Sequence, residues 1–242
     1  MEPKFKRVLL KLSGEALMEG FEGKSRTDGI IDFDFLDTVC KRIRTIIEGG
    51  TQVAIVVGGG NIWRGAQKPE FDRVRADYMG MLATAINSIG IQDALIQNGI
   101  PATVMTALDI ARATEPFNRF KAIELLESGH VVIFGAGLGT PFFSTDTTAV
   151  VRAAEIGADM VLFAKNIDSV YDKDPRKFPD AVRLDRVTYA RILEDQLGVI
   201  DGTAAAFAQG RNISIRMFGL SDPDNIVRAA QGEDIGTFVY AG

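Results

Sequence analysis

The chain has 242 residues, of which 46% are hydrophobic and 24% charged, enough for a sizeable core and near the upper size of one domain. Its net charge of −5 and pI near 5.1 argue against a broad nucleic-acid-binding face, which needs clustered excess Lys and Arg. A single cysteine excludes an intrachain disulfide and a cysteine-rich metal site. The apolar stretch near the amino terminus is broken by Lys11 and is too short for a signal peptide or a membrane span.

No linker, low-complexity run or repeat interrupts the chain, so one domain over residues 1–242, located in the cytoplasm, is expected. Residues 8–12 (VLLKL) read as a first strand. The spacing of Phe35, Leu36, Val39, Cys40 and Ile43 predicts a helix over 33–49, stopped by Gly49-Gly50, with Cys40 in the core. A second strand, 52–57, runs into Gly58-Gly59-Gly60. Met79, Leu82, Ala83, Ile86 and Ile89 recur at helical spacing and predict a helix over 75–97, with a bend expected at Gly90. Strand 102–105 and helix 119–127 follow, then strand 131–134 entering Gly135-Ala136-Gly137-Leu138-Gly139. A helix over 146–156 has Gly157 as its C-cap, and 160–164 is the next strand. Short helices are predicted over 188–197, 203–209 and 223–230, with strands over 213–218 and 237–240. Short, doubly apolar strands separated by helices imply an α/β/α sandwich around a mainly parallel sheet.

Ligands of such sheets bind beyond the carboxyl ends of the strands. Three glycine-bearing turns fall there: Lys11-Leu12-Ser13-Gly14, Gly58-Gly59-Gly60-Asn61, and residues 135–140. Glycine lets backbone amides approach an anion closely, and amides leading into a helix make a phosphate cradle. One such turn is ordinary loop chemistry; three along one edge are not. Lys11 can extend an ammonium toward a phosphate from a buried stem. Arg64, four residues past Gly60, can swing a planar fork over the second turn. Solvated surface residues are the alternative for both when each is taken alone.

The P-loop pattern is missing, and no G-x-G-x-x-G opens a helix early in the chain. The only histidine, His130, lies at the amino end of its strand, away from the site, and reads as structural. Without it no Ser-His-Asp set can be built. Phosphoryl transfer to a phosphate survives this loss, because a nucleoside monophosphate is already ionised and needs alignment and charge stabilisation rather than a general base. Residues 144–148 (STDTT) are richer in hydroxyls and carboxylate than capping alone requires. Asp146 is suited to hold lysines or water. The polar loop after the strand at 160–164, with Lys165, Asn166, Tyr171 and Asp174, suits an adenine and ribose pocket or a plain connection.

These residues carry a resemblance. Lys11-Leu12-Ser13-Gly14-Glu15-Ala16-Leu17, Gly58-Gly59-Gly60-Asn61 with Arg64-Gly65, Asp77-Tyr78-Met79-Gly80-Met81-Leu82-Ala83-Thr84, Pro141-Phe142-Phe143-Ser144-Thr145-Asp146 and Tyr171 with Asp174-Pro175 together resemble the bacterial UMP kinases of the amino-acid-kinase family. The likeness runs essentially end to end. It implies the amino-acid-kinase fold and ATP-dependent phosphorylation of UMP to UDP. It places Lys11, Leu12, Ser13, Gly14, Gly60 and Arg64 on the ATP phosphates and the transferring group. UMP falls to Gly59, Asp77, Leu138, Gly139, Thr140, Pro141, Phe142, Phe143, Ser144 and Thr145, with Asp77 on the ribose hydroxyls. The adenine nucleotide falls to Lys165, Asn166, Tyr171 and Asp174. Lys11, Arg64, Asp146 and Asp201 carry catalysis, Asp146 as a lysine-organising aspartate and Asp201 near the Mg²⁺ brought by ATP. The resemblance further implies hexamers, inhibition by UTP and, in many bacteria, activation by GTP.

Some positions depart from that family. Its T-G-N-P-F-F reads Leu138-Gly139-Thr140-Pro141-Phe142-Phe143, its V-D-G-V reads Ile167-Asp168-Ser169-Val170, and the segment 19–31 is longer and more charged. Because effector-linked contacts involve that segment, GTP activation stays open. Two other readings compete. A kinase of carboxylate or carbamate substrates, such as acetylglutamate kinase, would lack Asp77 and the Pro-Phe-Phe loop. A non-enzymatic nucleotide-binding protein would be expected to lose Lys11, Arg64 or Asp146, and all three are present.

Overall fold

Strand β1 (Arg7–Leu12) is buried along its whole length, which places it at the centre of the sheet. It pairs in parallel with β2 (Gln52–Val57) on one side and β6 (Met160–Lys165) on the other, Lys11 standing opposite Val56 and Phe163. The computed structural model describes residues 3–21, 29–65, 70–175 and 177–242. Much of the charged segment flagged at 19–31, namely residues 22–28, lies outside the described residues.

The remaining strands are β3 (Ala102–Thr106), β4 (Glu115–Pro116), β5 (Val131–Gly135), β7 (Val170–Tyr171), β8 (Arg183–Leu184), β9 (Arg186–Thr188), β10 (Ile215–Gly219) and β11 (Thr237–Tyr240). Among the described residues, nine strands form one sheet in the order β4-β3-β5-β2-β1-β6-β10-β11-β9, parallel except where β11 meets β10. The β7–β8 pair stands apart as a two-stranded ribbon. The sheet is thus mainly parallel, as expected. The two-residue strands and the ribbon carry too few residues to show a period in the sequence.

Helices cover both faces. The core on one face joins Val8, Leu10 and Leu12 to α1 (Phe33–Glu48), α2 (Arg73–Gln97) and α7 (Asp224–Ala230). The core on the other joins Leu9, Val56 and Phe163 to α3 (Arg119–Glu127), α4 (Thr145–Ile156), α5 (Tyr189–Glu194) and α6 (Gly202–Gly210). Strand alternation explains the split, since odd and even positions of β1 point to opposite faces. Arg7 and Lys11 share the α4 face with Leu9, and together they bracket that helix. The Arg7 guanidinium donates to the Ile156 carbonyl at its carboxyl end, while Lys11 pairs with Asp146 in its first turn. Arg7 at the carboxyl end and Asp146 at the amino end sit where the helix dipole favours their charges, while Lys11 is held at the amino end by its pairing with Asp146.

Cys40 is fully buried on α1, and burial pushes its thiol up to about 12, so it is inert packing. Helix α2 runs unbroken from Arg73 to Gln97 through Gly90, where no bend interrupts the helical assignment. A Cβ at Gly90 would lie 2.6 Å from Ile31 Cδ1, so glycine there lets the neighbouring segment close in. Of the residues whose spacing predicts α2, Ala83 is buried while Met79, Leu82, Ile86 and Ile89 are exposed, and the sheet is met by Ala83 together with residues such as Ser88, Ile91 and Leu95. An 18-residue stretch of α2 reaches a mean hydropathy of 1.2, and half of it is buried inside the fold, as for a core helix.

Candidate active site

Strands β5, β2, β1 and β6 are neighbours and end at one edge, so their following loops converge there. The first two glycine turns touch backbone to backbone. A Cβ at Gly14 would lie 2.6 Å from the Gly60 nitrogen, and one at Gly58 would lie 2.8 Å from the Gly14 nitrogen. No side chain fits at either position. A buried pair of asparagines holds this contact. Asn87 donates to the Gly58 carbonyl at 2.7 Å and to Asn61 Oδ1 at 2.7 Å, and Asn61 returns a bond to Asn87 and donates to the Ile30 carbonyl. The third turn has Ala136, Gly137 and Gly139 at positive φ, as does Phe142 just beyond it. At Gly139 a Cβ would lie 2.9 Å from the Ala107 carbonyl oxygen.

Three charges meet at the centre. Asp146 accepts from Lys11 at 3.0 Å and from Lys165 at 2.9 Å, and Lys165 also donates to the Val199 carbonyl. Burial pushes the Asp146 carboxyl up, but the two ammonium groups outweigh it and hold its pKa below the usual 3.8. Burial also depresses Lys165 below the usual 10.5, joined by repulsion from Lys11 and opposed by Asp146. The cluster has one carboxylate for two cations, so it carries net positive charge toward any anion in front of it.

Asp201 caps α6 through the Ala204 amide at 2.9 Å. Its carboxylate also accepts from the Ser144 hydroxyl and, at 3.0 Å to each oxygen, from Thr147. Ser144 in turn caps α4 through the Asp146 and Thr147 amides. This explains the excess of hydroxyls in residues 144–148: part caps the helix and part ties it to α6.

Among the described residues, two cavities adjoin this centre and a third adjoins the first. The first, about 660 Å³, is lined by Lys11, Gly14, Gly58, Gly59, Gly60, Asp146, Lys165 and Asp201, with the loop before α6 as its far wall. The second, about 750 Å³, shares Lys11, Ser13, Asp146 and Lys165 and extends along Arg64, Asn166, Tyr171 and Asp174. Tyr171 donates to Asp168 at 3.2 Å, and burial with the Asp168 charge raises its pKa. The third, about 140 Å³, lies between Gly59, Gly60, Trp63, Asp77, Gly137, Phe143, Ser144 and Thr145. Asp77 there accepts from Arg73 at 3.0 Å and from the Phe142 amide at 2.8 Å. Leu12 lies beneath the cradle in the core, while Leu138, Gly139, Thr140 and Pro141 shape the third turn without lining these three cavities.

Lys165 had been grouped with the adenine loop, yet its ammonium turns inward to Asp146. Arg64 is held against Gly60, its Nε donating to that carbonyl at 3.3 Å and its Nη2 lying 2.6 Å from Glu15. Glu15, Trp63 and Asn87 were missed as site residues. Glu15 and Trp63 both stand near glycine turns in the sequence, but a lone acidic, aromatic or amide side chain does not by itself declare a role at the site. His130 has no hydrogen-bond partner at its buried Nδ1 and lines none of these cavities.

The sequence matches the amino acid kinase family over residues 6–219. The chain belongs to that family. Solved structures similar to it agree across nearly the whole chain. The UMP kinase from Bacillus anthracis is 34% identical, with a TM-score of 0.90 and 98% of this chain and 96% of that one covered. The UMP kinase from Ureaplasma parvum is 35% identical, with a TM-score of 0.89 and coverages of 97% and 98%. The uridylate kinase from Archaeoglobus fulgidus is 29% identical, with a TM-score of 0.74 and coverages of 96% and 99%.

Proposed function

We propose that this chain transfers the γ-phosphoryl group of ATP to UMP, giving ADP and UDP. The observation that carries this reading is the Lys11–Asp146–Lys165 cluster at the junction of the large cavities, with a smaller third cavity reaching Asp77 across the shared wall of Gly59 and Gly60. ATP lies with its base and ribose along Tyr171, Asn166 and Asp174 and its phosphates over Gly14, Gly60 and Lys11. UMP enters between Asp77 and the Phe143–Thr145 stretch with its phosphate toward Gly59. An oxygen of the UMP phosphate attacks the γ-phosphorus, and the bond to the β–γ bridging oxygen breaks. No proton has to move, because the attacking phosphate is ionised near neutral pH. Lys11 and Lys165 stabilise the charge spread over the transferring group, and Asp146 keeps both ammonium groups aimed at it.

A magnesium ion carried by ATP suits Asp201. Ser144, Thr147 and Ala204 supply three donors to its carboxylate, which leaves about one of its roughly four acceptor sites open. Mg²⁺ is bound through one or two carboxylates together with substrate phosphates, so Asp201 would hold it from the rim of the first cavity. Bound there, the ion supplies neutralisation of the β- and γ-phosphate charge.

Asp77 and the loop ending in Phe143 favour a nucleotide over a small carboxylate or carbamate acceptor. The cytoplasm, a hexameric assembly and inhibition by UTP complete the reading, the assembly supported by the exposed apolar face of α2. Activation by GTP is left to assay. The test is ATP-dependent phosphorylation of UMP, CMP, dUMP and acetylglutamate, with and without GTP and UTP, on the parent and on Asp77→Ala. UMP should be the preferred acceptor, and Asp77→Ala should raise the KM for UMP about tenfold or more while that for ATP changes little. Preference for acetylglutamate, or a variant impaired only toward ATP, would sink the assignment.

A further inference from the structure

We infer that Glu15 is a positioning residue that holds Arg64 in register with the phosphate cradle. Glu15 opens the 3-10 turn that follows Gly14, and its side chain lines both large cavities, whereas Arg64 lines the second. Its Oε1 is 2.6 Å from Arg64 Nη2. The same oxygen lies only 2.2 Å from where a Cβ on Gly60 would stand. The carboxylate therefore fills the space that glycine leaves open at the second turn, and that turn fixes it in place.

Arg64 is otherwise a long, largely exposed side chain. Its remaining anchor is the bond from Nε to the Gly60 carbonyl at 3.3 Å. A single long bond leaves the planar guanidinium free to pivot about that contact; a second bond, to Glu15, fixes its plane. Of the five N–H groups on a guanidinium, these two contacts use one at Nε and one at Nη2. Three remain to meet an anion along the wall of the second cavity. A carboxylate beside a phosphate site opposes phosphate binding by charge. Glu15 therefore does not strengthen ground-state binding; it acts through the geometry of Arg64.

That combination separates kcat from KM. In Glu15→Gln the reach is kept, but the charge that holds Nη2 is lost. Turnover should fall about tenfold, between the few-fold worth of an exposed ion pair and the hundredfold cost of a displaced catalytic group. The KM for ATP should stay level or fall. Glu15→Asp, which keeps the charge and loses the reach, should lose turnover similarly. The deciding measurement is the double-mutant cycle. In an Arg64→Ala background, Glu15→Gln should change kcat by less than about twofold. Independent, multiplying losses would overturn the inference, as would a raised KM for ATP at unchanged kcat, or faster turnover in Glu15→Gln. Thermal melting of each variant alongside the parent keeps a folding defect from passing as a positioning effect, and Glu15→Asp carries the test should Glu15→Gln melt early. The inference rests on the kinase reading above. A parent protein that does not phosphorylate UMP in this assay would sink that reading, whereas additive losses in an active parent would sink this one.

Discussion

Lys11 is buried at its stem, and its ammonium points at Asp146 rather than into a distant solvent channel. It touches the wall shared by the two large cavities but not the small cavity around Asp77. Lys11→Ala should therefore leave UMP binding nearly intact while turnover falls about 100- to 1,000-fold, the usual cost of removing one stabiliser of transition-state charge. Trp63 lines the small cavity and is the only tryptophan, so quenching of its fluorescence by UMP reads binding separately from turnover. Equal losses of the two would contradict the role. Asp146 yields a pH signature. Its pKa is lower folded than unfolded, so the carboxylate stabilises the fold above the ordinary value of 3.8, and this contribution fades as pH falls through the lower folded value. Asp146→Asn should be about 3 kcal/mol less stable than the parent at neutral pH, and the gap should narrow below about pH 4. Chemical denaturation across that range checks it; a gap constant with pH would mean that the charge is not what stabilises.

Among the elements, the glycine turns were legible because glycine after a strand at the carboxyl edge has a physical meaning of its own. What holds them together was not. Asn87 lies in the middle of α2, where the sequence shows Thr84, Asn87 and Ser88 scattered among apolar residues, yet it is fully buried and bonded to the Gly58 carbonyl and to Asn61. Asn87→Ala should cost about 3 kcal/mol, since a buried carbonyl and an amide lose partners together. An unfolding free energy, from urea denaturation, lowered by less than a third of that would show that water replaces the amide. Lys165 shows the same limit. Its place at a strand end was readable, but the turn of its ammonium toward Asp146 depends on α4 packing over β6.

For the molecule as a whole, the exposed apolar face of α2 has the widest consequence. Tyr78, Met79, Leu82, Ile86, Ile89 and Ile96 are all exposed, forming an apolar stripe along one side of the helix. A stripe of this kind marks an interaction surface, and a second copy of the chain is the partner that the proposed assembly supplies. Leu82→Arg combined with Ile86→Arg should shift the sedimentation coefficient to that of a smaller species while the circular dichroism of the fold is retained. An unchanged coefficient would remove α2 from the interface.

By itself the sequence determined the order of the main strands and helices, the sandwich they build, and the edge at which the glycine turns fall, because these follow from periodicity and from the backbone freedom of single residues. The tertiary structure alone decided which face of α2 points outward, which partners Asp201 and Arg64 take, and that the first two glycine turns meet at their backbones. A hydrophobic period reports only that a face will be covered; whether by the same chain or by another depends on where remote segments come to rest.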